Sequence, residues 1–287
     1  MKILITGARG QLGKDVTKIC QKEGHSVIAC GSQDLNITRF EDVMAQVHCI
    51  KPDIIINCAA YNAVDQAETD WEQAFLVNGL GPKNLALASV ATGAVLVHYS
   101  TDYIFNGQNK QPYTLVDSPS PISRYGESKL LGEQVVMRHA TRYYLIRVSW
   151  VFGSGNTNFV TKVLEWSKQK TQISVVDDQI SSPTYTKDLA QASLDMIKTG
   201  DYGLFHITNS GFCSRFEWAK YILELIEWEG ELIPGKSTDF QTTATRPAFS
   251  VLNNFGTHRT IRYDLPSWQD ATKRFLQEIR GINFSGN

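Results

Sequence analysis

The stretch "SRYGESKLLGE" (residues 123–133) sets a phenol, Tyr125, four residues ahead of an ammonium, Lys129. Residues four apart share one face of a helix, so the two side chains would be neighbours. Taken alone, the pair is an ordinary surface contact. Upstream, "HYSTDYIF" ends a strand-like run and offers Ser100, Thr101 and Asp102. In a parallel sheet the carboxyl ends of the strands are where ligands bind. These residue types suit the reduction of a carbonyl group. When hydride lands on a ketone carbon, charge develops on the oxygen and a proton donor must neutralise it. A free tyrosine, with a pKa of about 10, is a poor acid at neutral pH. A nearby ammonium favours the phenolate and brings that value down, and the Thr101 hydroxyl is a donor where the new charge forms.

A glycine turn adds a second piece of chemistry. "TGARGQLG" supplies Gly7, Gly10 and Gly13 after the first strand-like run and at the start of a helical one. The spacing GxxGxxG suits a tight turn, close approach of backbone to a pyrophosphate, and the positive end of a helix aimed at that charge. Such a turn alone is a weak signal; between a strand and a helix it meets the context test for dinucleotide binding. The second strand-like run ends "VIACGSQDL", so Cys30 stands where an NAD site often has an acid on the ribose 2′-hydroxyl. Arg9, in the turn, could meet a 2′-phosphate. Both favour NADPH as cofactor over NADH, with NADH the alternative.

To position these groups the chain must alternate strands and helices. "KILIT", "HSVIAC", "DIIINC", "AVLVHYS" and "YYLIRVS" are short apolar runs rich in β-branched residues, separated by helical spacing such as residues 11–23 and 71–90. That order predicts an α/β fold, a Rossmann-type doubly wound parallel sheet buried on both faces. Pro82 predicts a break near Gly81, and Pro121 fits the first turn of the helix that carries Tyr125. The sheet domain is expected over residues 1–150. Residues 151–287 form a smaller C-terminal α/β lobe, mainly substrate-binding, with some return to the first domain. In that lobe "ISVVDDQISSPTYTKDLAQA" reads as a strand, a polar turn and a helix from near Thr186, and "FCSRFEWAKYILELIEW" as an amphipathic helix capped at Ser214.

Composition narrows the partners. Net charge is −1, with 42% hydrophobic residues, over 287 positions. There is no basic field for nucleic acid or an anionic membrane, and no apolar run approaches the roughly 20 residues of a membrane span. The amino terminus enters a strand-like run at once, with no signal peptide expected before it. The five cysteines are irregularly spaced and form no CxxC pair. A cytoplasmic protein, a monomer or homodimer, without a catalytic metal is the expectation.

The glycine turn, the strand-end Ser/Thr and the YxxxK pair resemble the extended short-chain dehydrogenase/reductases. More narrowly, "GQLG", "CAAYNAVDQAE", "HYSTDYIFNG", "PISRYGESKLLGE", "RVSWVFG", "NFV", "DDQISSPTYTKDLA" and "RPAFSVL" resemble the dTDP-4-dehydrorhamnose reductase family, in order and over nearly the whole chain. The resemblance implies reduction of the C4 ketone of dTDP-4-dehydro-6-deoxy-L-mannose, a nucleotide sugar. It makes Tyr125 the proton donor, Lys129 its pKa partner and a ribose contact, and Thr101 a contact of the substrate carbonyl. It places Gly10, Gln11 and Leu12 at the pyrophosphate, and Asp34, Leu35, Ala59, Ala60 and Tyr61 along the cofactor. Asp102 and Trp150 would touch the deoxysugar and Arg246 would lie near the diphosphate. The plain alternative for Trp150 is core packing, and His98 and His206 read as structural.

The chain departs from the family at Leu115, where a loop that covers the substrate usually has glutamate. It departs again at Asp15 and Lys187, which correspond to glutamates that bridge some members' dimers through magnesium; a lysine cannot ligate the ion. A sugar-nucleotide 4,6-dehydratase would need an acid where Tyr103 stands. Reduction of another nucleotide 4-keto-6-deoxysugar, or a non-catalytic binding subunit of reductase-like fold, are the remaining readings.

Overall fold

The five apolar runs of the first half become β1 (Lys2–Thr6), β2 (Ser26–Cys30), β3 (Ile54–Asn57), β4 (Val95–Thr101) and β5 (Tyr143–Val148) in the computed structural model, which describes residues 1–281. Between them lie α1 (Gln11–Lys22), α2 (Phe40–Ile50), α3 (Trp71–Phe75), α4 (Gly81–Thr92) and α5 (Arg124–His139). All these strands pair in parallel, in the order β2, β1, β3, β4, β5. The chain runs outward from β1 to β2 and then crosses to β3 on the other side. The topological switch, where such sheets bind ligands, therefore falls between β1 and β3. Successive side chains of a strand point to opposite faces. Ile3 and Ile5 pack with Val16 of α1 on one face, while Leu4 packs with Val43, Val47 and Leu85 on the other. Both faces are covered, which is why apolar residues fill successive positions along these strands, with polar ones gathered mainly at their carboxyl ends.

After β5 come β6 (Val151–Phe152), α6 (Phe159–Gln169), β7 (Gln172–Val176), β8 (Ile180–Ser181) and β9 (Thr184–Tyr185). Then α7 (Thr186–Thr199) and β10 (Gly203–His206) return to the sheet: β10 pairs in parallel with β5 as a sixth strand, and Leu189 and Leu194 of α7 join the face of Ile3 and Ile5. The chain ends through β11 (Cys213–Ser214), α8 (Arg215–Leu225), β12 (Glu231–Gly235), α9 (Phe255–Ile261) and α10 (Trp268–Arg280). A second core, built on Phe152, Val163, Tyr185, Trp218 and Phe275, joins α6, α8 and α10.

Local signals explain the boundaries. Ser214 caps α8 in a reciprocal box with Glu217, as its spacing predicts. Pro82 lies in the first turn of α4, and the break ahead of it is a π-helical turn over Leu76–Leu80. Pro121, by contrast, stays outside α5. The Ser123 hydroxyl accepts the Gly126 N–H at 3.2 Å and sets the helix start at Arg124. Leu115 packs beside Gly256 of α9. Its loop is tied to the segment after Ser250 by the Tyr113 and Asn253 amides, which bond the carbonyls of Val251 and Tyr113 at 2.7 and 2.8 Å. Asp15 accepts the Thr186 hydroxyl at 2.5 Å, while Lys187 pairs with Glu278 at 3.1 Å. Among the described residues no helix is long and apolar enough to cross a membrane.

Candidate active site

The glycine turn opens a cradle at the sheet's switch point. Gly7 has φ +65°, and a Cβ there would fall 2.4 Å from the Ala59 nitrogen; one on Gly13 would fall 2.3 Å from the Gly7 oxygen. Only glycine permits that closeness of β1, β3 and α1. Gly10 is the N-cap of α1, no side chain caps it, and the first turn holds no acid. The first amides and positive end of α1 are thus left for an anion.

These amides face a cleft of about 390 Å³. Gly10, Gln11, Leu12 and Gly13 line one part of it, and Ala59 and Ala60 border it after β3. The rest is lined by Thr101, Asp102, Tyr125, Lys129 and Trp150. Other expected cofactor positions lie elsewhere. Cys30 and Leu35 are buried in the core behind the sheet, because β2 and the turn after it direct them inward. Asp34 accepts Arg9 at 3.1 Å and the Gly31 N–H at 2.7 Å, outside the cleft lining. Tyr61 packs beside Tyr125 and gives its hydroxyl to Asp70 at 3.1 Å. Arg246 borders a neighbouring cavity and pairs with Asp65 at 2.6 Å.

The catalytic candidates converge, but not with the bonds expected of them. Tyr125 is 8% exposed, its hydroxyl 3.5 Å from Asn62 Oδ1 and its ring edge-on to Tyr103. Burial raises its pKa, and a hydrogen bond with Thr101 works against that rise. Lys129 donates instead to the Tyr99 carbonyl at 2.5 Å. Burial pushes its ammonium down to about 8, opposed by the Glu133 carboxylate. The expectation that Lys129 lowers the phenol is therefore not met in this geometry, because desolvation dominates both groups.

Thr101 donates to Asp102 Oδ1 at 3.1 Å and accepts the Tyr103 N–H at 3.2 Å. Asp102 is 2% exposed, and its Oδ2 accepts Ser250 at 2.5 Å and Ser181 at 3.2 Å. Burial lifts its carboxyl to about 6, against the pull of these hydroxyls. Trp150 has φ +42°, a left-handed conformation a bulky residue rarely adopts. Its ring stacks on Trp218 and carries the Arg215 guanidinium 3.6 Å above its centroid. Packing and cleft lining thus coincide at this residue. His98 and His206 are buried, and burial holds both well below the usual imidazole range.

Arg215 was not foreseen. It is the first residue of α8, it borders both the cleft and the cavity of about 200 Å³ beside Arg246, and burial lowers its pKa to about 10. Asn62 and Tyr103 also join the cleft lining. No local spacing marks Arg215, which only the fold brings to the cleft, whereas Asn62 and Tyr103 directly follow Tyr61 and Asp102 in the sequence.

A parallel sheet with its glycine cradle at the switch, and Thr101, Tyr125 and Lys129 along the same cleft, define an oxidoreductase of the extended short-chain dehydrogenase/reductase class. Residues 1–280 match the family model described as RmlD substrate binding domain, and the chain belongs to that family. It is 39% identical to the spore coat polysaccharide biosynthesis protein SpsK of Bacillus subtilis, over 96% of this chain and 97% of that protein. A crystal structure of a dTDP-4-dehydrorhamnose reductase from Clostridium acetobutylicum superposes with a TM-score of 0.95 at 39% identity, covering 98% of this chain and 100% of the other. The dTDP-4-dehydrorhamnose reductase of Bacillus anthracis, solved in complex with NADP, superposes with a TM-score of 0.94 at 38% identity, covering 96% and 99%.

Proposed function

We propose that the protein reduces the C4 ketone of dTDP-4-dehydro-6-deoxy-L-mannose to dTDP-L-rhamnose in the cytoplasm, with NADPH preferred to NADH. The observation that carries this reading is the convergence of Thr101, Tyr125 and Lys129 on the cleft that the bare start of α1 also faces. The activity named for both crystallised relatives supports the substrate.

The cradle fits a dinucleotide. The amides of Gly10, Gln11 and Leu12 would hold its pyrophosphate, Ala59 and Ala60 its path along the sheet, and Lys129 its ribose. Once bound, that cofactor supplies the hydride. Tyr125 gives its proton to the sugar's carbonyl oxygen, and Thr101 holds that oxygen in line. Arg215 and Arg246 border the adjoining cavity, and a pair of guanidiniums suits a diphosphate. Arg9, whose side chain is 70% exposed and pairs with Asp34, would turn from that partner to a 2′-phosphate, and buried Cys30 offers no carboxylate to a 2′-hydroxyl.

The test is to incubate the protein with NADPH or NADH and a panel of dTDP- and UDP-linked 4-keto-6-deoxysugars, following loss of the nicotinamide absorbance and identifying the product by NMR. Turnover of the dTDP-linked L-mannose derivative, faster with NADPH, is expected. No oxidation with any member of the panel would overturn the reading.

A further inference from the structure

Two side chains that are charged in water are almost fully withdrawn from it on α5: Lys129 is 3% exposed and Glu133 0%. Tyr125, Lys129 and Glu133 follow one another at steps of four, so they share one face of the helix. Glu133 is gripped by Arg147 of β5 through two parallel bonds, Nε to Oε1 at 2.9 Å and Nη2 to Oε2 at 2.8 Å. Arg147 is itself 3% exposed, lies over the Phe105 ring, and has His206 Nε2 3.4 Å from its Nη1.

A buried pair of this kind is weak ground for stability, because desolvating two ions offsets most of their attraction. It does fix a negative charge in a low-dielectric interior, where its influence reaches further than in water. Lys129 needs such an influence, since its hydrogen bond is to the uncharged Tyr99 carbonyl. The other titratable groups around this stretch are His98 on β4, Tyr125 on α5, Arg147 on β5 and His206 on β10, and burial keeps both imidazoles neutral. Asp102 lies at the far end, against Thr101 and Tyr125. Burial drives the Lys129 ammonium towards the free amine, and the Glu133 carboxylate opposes that drive.

We infer that Glu133, clamped by Arg147, is a positioning residue of the active site that keeps Lys129 in its ammonium form. The effect on turnover rests on the reductase reading above, whereas the charge state of Lys129 does not. An ammonium is lost as pH rises through its folded pKa, so weakening its support moves the loss to lower pH.

The test follows the Lys129 side chain by NMR of isotope-labelled lysine against pH in the full chain, with its resonance assigned from Lys129→Arg. In Glu133→Gln the titration midpoint should fall by about one pH unit, and Glu133→Asp, which keeps the charge, should recover most of that fall. The double variant Glu133→Gln with Arg147→Met leaves no buried cation unpaired. It should show a smaller fall in the same direction, and it decides the matter if the single variant does not fold. A midpoint unmoved from the parent's overturns the inference. With NADPH and the keto-sugar, the alkaline limb of kcat/KM should move down by the same interval. If the parent reduces no keto-sugar, the reductase reading fails, and the NMR midpoint still decides the role of Glu133.

Discussion

At Tyr125 a proton donor is buried among groups that both hinder and help its ionisation, so its removal is the sharpest probe of the site. Tyr125→Phe keeps the ring packing against Tyr103 and deletes the acid. Turnover should fall by about 10²–10⁴-fold while cofactor affinity, read by nicotinamide fluorescence, stays near the parent's. Asp102 makes a second case. Its folded carboxyl sits at about 6, above the ordinary value of 3.8, so the neutral form favours folding. The group is therefore without penalty below the unfolded value and loses stability as pH climbs to about 6, by up to about 3 kcal/mol. Asp102→Asn should then raise the Tm at neutral pH, with the gain vanishing near pH 4; an equal difference at both pH values would place the penalty elsewhere. What could be read from sequence at this scale was what is local. The glycine turn and the Tyr125 and Lys129 pair declare themselves within a few residues. The hydroxyl donors Ser250 and Ser181 do not, since they join Asp102 across 148 and 79 positions.

Among the elements, α5 carries most of the chemistry, and its start is decided by one hydroxyl. Ser123→Ala removes the cap on Gly126 and should cost about 1 kcal/mol of stability, lowering the Tm measured by calorimetry by about 2–4 °C. An unchanged Tm would mean that tertiary packing alone sets that end. Gly126 shows how tight the packing is, as a Cβ there would fall 2.3 Å from the Tyr103 carbonyl. The strands of the first half were readable because burial on both faces favours short runs that are mostly apolar. β10 was not placed in advance. "GLFH" is too short to announce its partner, and it depends on β5 offering a free side. Pro121 misled for a similar reason: a proline is compatible with a first helical turn, but a serine two positions on supplies the cap.

Across the whole molecule, contacts tie the two halves on either side of the cleft. Asp65, after β3, holds Arg246 of the carboxy-terminal half through paired bonds at 3.1 and 2.6 Å. Arg246→Ala should raise KM for the nucleotide sugar by roughly 10-fold with little change in kcat, as expected when one charge-assisted contact of a bound diphosphate is lost. A kcat effect of the same size would instead make the residue part of the reacting geometry. The return of α7 and β10 to the first sheet has a further consequence. Residues 1–150 on their own would bare the backbone groups of β5 and the apolar face that Leu189 and Leu194 cover, a template for pairing with other chains. Produced as a fragment, they should aggregate, and adding residues 151–287 on a separate chain should rescue solubility. The protein is woven rather than strung, and a cut at its apparent waist would leave neither piece whole.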